Sequence, residues 1–374
     1  MLRKMYYKVW SIVDHVKGKI LIPDDNAVIS HKNIPYGNDL IYHNFDIHYP
    51  RTTKIMQEKL PAIFNIHGGG YVTGRKEGNN HFCQELAKQG FVVFNVDYTP
   101  SGKRNKYFPT PVYEFFDFYK FVTEETDLCE LVDFKNVFLC GNSAGAHIAS
   151  LIANIQTNPD LKQGFNLCGG PPVKGVVMIC PSLGVYKFKG LFPKKEFHEV
   201  VFGPKEDRSP LAEFTHVLEV TTDAFPPSIM LSVNGDFLVG AHKNRFLKMA
   251  KELNLSVQHY DVSEGPQLFH CAMVDHAADY PKCMDVIAEF VKDAKQNKFV
   301  KGVQRDTIKE LVGIKEAKAK EEKEKSRKIK EVKAKEDNTL NRKVQEQLVQ
   351  EVRFYGESSR DLKDIGLKDS ELVR

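Results

Sequence analysis

The feature that most constrains the fold is a regular alternation of short apolar runs and amphipathic runs between about residues 40 and 295. Seven runs predict strands, in chain order LIYHNFDIHY, AIFNIH, FVVFNVDY, NVFLC, GVVMIC, SIMLSV and SVQHYDV. The runs between them predict helices, notably HFCQELAKQ, VYEFFDFYKFVTEE, AHIASLIANIQ, NRFLKMAKELN and PKCMDVIAEFVKDAK. Several strands are continuously apolar, as strands covered on both faces must be. The sequence therefore predicts an α/β fold with a mostly parallel central sheet and helices on both faces.

The two ends of the chain differ from this middle part, which we assign to residues 41–298. In residues 1–40, apolar residues at helical spacing between basic residues predict an amphipathic N-terminal helix. We expect it to pack on the body, with a substrate lid or a weak membrane contact as alternatives. Residues 299–374 are rich in Lys and Glu and predict a charged, solvated helical tail. A thin apolar stripe at Leu340, Val344, Leu348 and Val352 predicts a surface through which the tail binds a protein partner or a second copy of the chain.

Charge and cysteine usage exclude several classes of protein. Of the 53 Lys and Arg and 49 Asp and Glu residues, 20 and 16 follow residue 300, so the first 300 residues contain 33 of each. A nearly neutral body argues against nucleic-acid binding. The seven cysteines are scattered without zinc-ligand spacing, so we expect free thiols in a reducing compartment and neither a metal nor an organic cofactor. Without a convincing signal peptide or an 18-residue apolar run, the sequence predicts a cytoplasmic location and no membrane span.

The segment VFLCGNSAGAHIAS predicts a nucleophilic serine at a sharp turn. The apolar run NVFLC precedes GNSAG, and a helical run follows it, which is the strand, turn and helix context of a nucleophile elbow. Gly141 and Gly145 flank Ser143 at two residues on either side. Such a turn packs too tightly for a Cβ at these positions. Ser143 is therefore the candidate nucleophile.

A glycine-rich loop upstream predicts donors for the oxyanion that forms when a serine attacks a carbonyl group. In AIFNIHGGGYVTG, an apolar strand ends at His67, and Gly68, Gly69 and Gly70 follow. Together with the N–H of Ala144, their backbone N–H groups predict an oxyanion hole. A phosphate-binding loop is the alternative, but the segment has neither of the two glycine patterns of such loops.

These motifs resemble those of the hormone-sensitive-lipase-like esterases of the α/β-hydrolase fold. The resemblance rests on HGGGYVTG, VDYTPSGKRNKYFPTPVYE, GNSAGAHIAS, DRSPLAEF and FPPSIMLSVNGDFL, and it covers about residues 40–295. It implies that Asp236, just past the strand SIMLSV, is the acid and that His270, before the last helix, is the base. The chain departs from the family pattern at Gly240, where a second aspartate is usual, and at Cys271 and Ala272, where Gly and Phe are usual.

Other residues compete for these two roles. Asp223 and Asp261 are rivals for the acid, but the first precedes its strand and the second lies within one. His276 is the rival for the base, and His242 and His259 fall in a predicted helix and a predicted strand. The order serine, aspartate, histidine along the chain is the one that this fold uses.

The resemblance implies a serine esterase that cleaves a small-molecule ester, with short-chain or acetyl esters expected. The insert at about residues 184–207 predicts a small helical cap; we expect its Phe188 and Phe192, with Tyr71 and Asn142, to contact substrate, although ordinary cap packing is an equal alternative. An amidase such as an arylformamidase would use the same three residues. A peptidase relative would need a larger domain before the first strand, and a non-catalytic scaffold would be expected to lack the serine, the histidine or the glycines.

Overall fold

The computed structural model describes residues 26–51, 58–124, 131–183, 194–236, 238–263, 265 and 268–306. The predicted N-terminal helix, the cap residues Phe188 and Phe192, and the Lys/Glu-rich tail beyond residue 306 lie outside the described residues. Within them, nine strands form one sheet: β1 (Val28–Pro35), β2 (Asn44–Pro50), β3 (Leu60–Ile66), β4 (Val92–Val96), β5 (Val132–Asn142), β6 (Val173–Ile179), β7 (Ser228–Val233), β8 (Ser256–Val262) and β9 (Gly302–Asp306).

The sheet is mostly parallel, as the sequence predicts. Its spatial order is β1-β2-β4-β3-β5-β6-β7-β8-β9. Only the pairs β1 with β2 and β2 with β4 are antiparallel, and every later pairing is parallel. All seven predicted strands are confirmed, and the carboxyl ends of the parallel strands lie at one edge, where such sheets place their ligands.

Helices cover both faces of this sheet, which confirms the α/β prediction. They are α1 (Asn80–Lys88), α2 (Thr110–Glu124), α3 (Ala144–Thr157), α4 (Pro159–Gly164), α5 (Lys194–Phe202), α6 (Val217–Val220), α7 (Gly240–Glu252), α8 (Ala272–Asp275) and α9 (Pro281–Lys295). Successive strand residues point to opposite faces. Accordingly Ile63 joins a core cluster with α1 and α9, whereas its neighbour Phe64 stacks edge-on against Phe115 and Phe118 of α2.

The sheet extends beyond the predicted body at both ends. Residues 28–35, part of the predicted N-terminal segment 1–40, form the antiparallel edge strand β1, and residues 302–306, part of the predicted tail, form the parallel edge strand β9. Both sequences, VISHKNIP and GVQRD, mix polar and apolar residues. Edge strands have one backbone partner and need no apolar run, so hydrophobic patterning did not reveal them.

Helix α5 occupies part of the predicted cap insert. Its Phe197 and Phe202 are buried and contact Tyr71 and Phe108, which lie near the glycine-rich loop. Residues 184–193 of the insert lie outside the described residues. Across the described part of the chain, no helix combines the length and the apolar character needed to cross a bilayer.

Candidate active site

Ser143 lies at the sharp turn between β5 and α3. Its backbone adopts φ 54° and ψ −116°, a left-handed conformation that costs energy for any residue with a Cβ. Its N–H donates to the carbonyl of Ile179 at 2.8 Å, and its carbonyl accepts from the N–H of Ser182 at 3.2 Å. The turn is thus tied to the end of the neighbouring strand β6, and the serine side chain is presented at the carboxyl edge of the sheet.

The two glycines beside Ser143 are required by close backbone contacts. A Cβ on Gly145 would overlap the carbonyl oxygen of Ile66 at the end of β3, and a Cβ on Gly141 would overlap the carbonyl group of Gly145. The turn is therefore packed backbone against backbone, as the spacing of the glycines predicts.

A chain of hydrogen bonds joins Ser143, His270 and Asp236. His270 Nε2 lies 2.9 Å from Ser143 Oγ, and His270 Nδ1 lies 2.7 Å from Asp236 Oδ2. Asp236 follows β7 and His270 follows β8, so the parallel sheet brings together residues 127 positions apart in the chain. The Asp236 side chain is buried, and that of His270 is 18% exposed.

Electrostatics favours one protonation state for this arrangement. Burial raises the pKa of Asp236, but hydrogen bonds from His270 and from the N–H of Leu238 outweigh burial and hold the pKa below its ordinary value. The carboxylate is therefore ionised and can only accept, so His270 Nδ1 carries the proton in the neutral ring. Nε2 is then the acceptor for the Ser143 hydroxyl.

The same contacts change the pKa of the histidine itself. Burial lowers the pKa of His270, but hydrogen bonds with Asp236 and Cys180 and the charges of both partners raise it above the ordinary value of 6.5. A histidine with a raised pKa is a stronger base towards a hydroxyl group.

The predicted donor loop runs along the end of β3 beside Ser143. Gly69 and Gly70 adopt positive φ of 122° and 57°. The carbonyl of Gly69 accepts from the N–H groups of Val72 and Thr73, which closes a tight turn. The Gly68 N–H, in contrast, donates to Asn142 Oδ1 at 3.0 Å. The amide of Gly68, one of the four in the sequence prediction, is thus committed inside the protein.

Side chains that sequence reasoning missed hold this loop in place. The ring of His67 stacks on Tyr98 with centroids 4.1 Å apart, and its Nδ1 lies 2.7 Å from the carbonyl oxygen of Gly68. The buried carboxylate of Asp97 accepts from Arg75 Nε at 2.8 Å and from the Lys76 N–H at 2.7 Å. Asp97 and Tyr98 belong to the segment VDYTP. The sequence signal of their role in holding the loop is an aspartate directly after an apolar strand.

Two of the predicted substrate contacts have other partners. Asn142 is buried, and its Oδ1 accepts from both Gly68 and Asn79 Nδ2, so this oxygen links the turn to the loop and does not face a substrate. Tyr71 is 3% exposed, and its hydroxyl donates to the carbonyl of Ser182 at 3.1 Å. Its ring packs against Phe108, His147 and Phe197.

The rival acids and bases lie in other surroundings. Asp261 accepts from Ser232 Oγ and from Lys243 Nζ, and the ring of His276 packs edge-on against Phe269. His242 and His259 are buried in α7 and β8 respectively. Asp236 and His270 are the members of these sets that the structure joins to Ser143.

Two cysteines lie directly against His270. Cys180 follows β6 and Cys271 follows His270, and both are buried free thiols. The interaction with Cys271 and, less strongly, that with His270 lower the pKa of Cys180 below that of an ordinary thiol, although burial raises it. Among the described residues, Cys180, His270 and Cys271 also form a group of side chains whose ligand atoms all lie within 4.8 Å of one another.

Comparison with known proteins places this chain in a family. The BD-FAE family model matches residues 45–249, a range that includes the glycine-rich loop, Ser143 and Asp236. The crystal structure of Esterase B from Lactobacillus rhamnosis superposes with a TM-score of 0.67 and covers 79% of this chain and 95% of that one. At 19% sequence identity, this likeness is one of fold.

Curated relatives match over shorter stretches. The versiconal hemiacetal acetate esterase of Dothistroma septosporum is 29% identical over 199 residues, which cover 47% of this chain and 57% of that protein. The kynurenine formamidase of Salmo salar is 25% identical over 162 residues, which cover 41% of this chain and 48% of that protein. The chain thus spans about half of the length of these curated relatives.

Proposed function

Because this chain belongs to the BD-FAE family of α/β-hydrolases, we propose that it is a serine hydrolase that cleaves carboxylic esters through an acyl-enzyme. The observation that carries the proposal is the unbroken hydrogen-bond chain from Ser143 Oγ through His270 to Asp236. An esterase among the relatives adds support for the ester as the bond cleaved.

In the proposed first step, Ser143 Oγ attacks the ester carbonyl carbon while His270 Nε2 takes the hydroxyl proton. Asp236 holds the imidazole in the required tautomer and stabilises the imidazolium that forms. The carbonyl oxygen becomes an oxyanion, and we propose that the N–H groups of Gly69, Gly70 and Ala144 stabilise it. Loss of one such donor typically reduces turnover by about 10² to 10³.

The intermediate then collapses in the usual order for such a site. The C–O bond to the alcohol breaks, the imidazolium gives its proton to the leaving oxygen, and the acyl group stays on Ser143. Water, deprotonated by His270, attacks the acyl-enzyme and releases the carboxylic acid. The proton returns to Ser143, so each group regains its starting state.

We further propose that the acyl group is short. Tyr71 follows the three glycines, and its hydroxyl donates to the carbonyl of Ser182, whose N–H donates to the Ser143 carbonyl. Behind it, the rings of Phe108, His147 and Phe197 pack around Tyr71 and are buried. The rings packed around Tyr71 leave little space for a long acyl chain there and favour acetyl or similarly small acyl groups.

The test is hydrolysis of a p-nitrophenyl ester series from acetate to laurate by the full chain. We expect activity on the short esters, its loss in Ser143→Ala and His270→Ala, and its survival in His276→Ala as the matched histidine control. Wild-type inactivity across the series would contradict ester hydrolysis, and loss in His276→Ala alone would contradict the choice of base.

Amide hydrolysis is a second candidate, favoured by the kynurenine formamidase among the relatives. An aryl formamide would use the same serine, base and oxyanion donors. Comparison of kcat/KM for N-formylkynurenine and p-nitrophenyl acetate separates the two activities. A higher value for the formamide would assign the chain to the amidases.

A further inference from the structure

Cys180, His270 and Cys271 form a compact set of metal-ligating side chains next to Ser143. One ligand atom from each lies within 4.8 Å of the other two. Cys180 and Cys271 are both buried, so the two thiols meet the imidazole inside the protein, where His270 also contacts Ser143. The hydrolytic mechanism proposed above uses neither thiol, so their convergence on the base calls for a separate explanation.

The backbone at both cysteines is unusual and is held by hydrogen bonds. Cys180 and Cys271 adopt φ 43° and φ 62°, a left-handed conformation that is rare for residues with a Cβ. The Cys180 N–H donates to the carbonyl of Leu231 at 2.8 Å, and the Cys271 carbonyl accepts from the N–H of Val274 at 2.8 Å. Strained conformations held by such contacts occur preferentially at ligand sites.

The donor set is one that selects soft cations. Two thiolates and one imidazole are ligands typical of Zn²⁺, and three protein ligands leave a fourth position for water or another oxygen. With Zn–S and Zn–N bonds of about 2.3 and 2.0 Å, ligand atoms around a tetrahedral ion are about 3.5 to 3.8 Å apart. The ligand atoms of the cluster, at most 4.8 Å apart, must move closer by up to about 1 Å to reach these separations.

We propose that Cys180, Cys271 and His270 bind a thiophilic cation such as Zn²⁺, and that the bound cation inhibits hydrolysis. Both ring nitrogens of His270 are already committed, one to Ser143 and the other to Asp236. A metal bound to either nitrogen must displace one of these contacts and remove the base. The side chain of His270 is 18% exposed and both cysteines are buried, so we expect the cation to approach from the side of His270. The inhibition, but not the binding, rests on the proposed function.

Cobalt binding tests the site without reference to activity. Co²⁺ added to the reduced, metal-free full chain gives a thiolate-to-cobalt charge-transfer absorption when sulfur ligates it. We expect this band in the wild type and its loss, with affinity reduced by more than about 100-fold, in Cys180→Ala and in Cys271→Ala. Cys283→Ala is the matched control, because Cys283 is also a buried thiol but lies outside the cluster. Near-UV circular dichroism checks that each variant is folded.

Hydrolysis of p-nitrophenyl acetate tests the inhibition. Zn²⁺ should lower the wild-type rate by about 10² or more, the size of a general base's contribution, and a chelator should restore it. Relative to their own metal-free rates, Cys180→Ala and Cys271→Ala should keep their activity in Zn²⁺. Cys283→Ala should be inhibited like the wild type.

Two results would overturn the proposal: no cobalt–thiolate band in the wild type, or an equal band in Cys180→Ala and Cys271→Ala. Equal inhibition of all variants by Zn²⁺ would place the inhibitory ion elsewhere. A protein that binds Co²⁺ through these cysteines but hydrolyses no ester would instead contradict the proposed function and leave the metal site standing.

Discussion

The two halves of the candidate site are held by different means. On one side, Ser143 and the glycine-rich loop are fixed by backbone contacts among β3, β5 and α3, which leave no room for a Cβ at Gly141 or Gly145. On the other side, Asp236 and His270 are on loops whose neighbours Leu268 and Phe269 are exposed. Their side chains are hydrogen-bonded to each other, and His270 is also hydrogen-bonded to Ser143. The fold thus prepositions the nucleophile, whereas side-chain hydrogen bonds position the acid and the base.

The largest expected effect is on the acid. Asp236→Asn should lower kcat by about 10⁴, because the amide cannot hold the imidazole in the tautomer that accepts from Ser143. We expect little change in the free energy of unfolding, since Asp236 and His270 serve catalysis more than packing. Steady-state kinetics and denaturant unfolding measure the two quantities.

Asp261→Asn is the matched control for this substitution. Asp261 is also a carboxylate near the end of a parallel strand, but its partners are Ser232 and Lys243. We expect its kcat to stay within about tenfold of the wild type, because it has no contact with His270. Equal losses in the two variants would refute the assignment of the acid.

In the half of the site that is held by backbone contacts, we expect a substitution to lower the free energy of unfolding. Gly145→Ala places a methyl group against the carbonyl of Ile66, so we expect the free energy of unfolding to fall by about 3 kcal/mol or more. Gly240→Ala is the control in the other half, because a Cβ there meets no atom within 4 Å. Urea unfolding of both variants measures the difference, and equal stabilities would mean that the turn is not packed as described.

The smallest expected effect concerns pH. Since hydrogen bonds raise the pKa of His270, the neutral ring needed as base forms only as the pH rises through a midpoint above 6.5. The acid limb of kcat/KM for ester hydrolysis should therefore have its midpoint above that value. Cys180→Ala should move the midpoint down by about one unit or less, because the thiol is one of the groups that raise this pKa.

The pH profile also has a control and a failing outcome. His276→Ala should leave the midpoint unchanged, since His276 packs against Phe269 and not against Asp236. A wild-type midpoint at or below 6.5 would show that burial of His270 outweighs its hydrogen bonds.

The difference between the two halves of the site also explains which site residues could be predicted from local sequence. The strand, turn and glycine pattern around Ser143 is local, so the element bounds and the packing at Gly141 and Gly145 follow from a short segment. Asp236 and His270 required the resemblance to a family, because carboxylates and histidines without a glycine pattern occur at several other loop positions.

What could not be predicted depends on contacts between distant segments. The use of the Gly68 amide by Asn142 joins residues 74 positions apart, and no property of either residue indicates it. Likewise, Cys180 is about 90 positions from His270 and Cys271, and the parallel arrangement of β6, β7 and β8 brings it to them. Side-chain clusters at strand ends therefore need the sheet order before they can be recognised.

The central claim is that His270 activates Ser143 as a nucleophile, and labelling by a fluorophosphonate tests it most directly. The serine oxygen attacks phosphorus, fluoride leaves, and a stable phosphonyl-serine forms. We predict one phosphonyl group per chain, located on Ser143 by peptide mass spectrometry, with labelling at least about 100-fold slower in His270→Ala. No labelling of the wild type, or labelling of Ser143 at the same rate in His270→Ala, would contradict the claim.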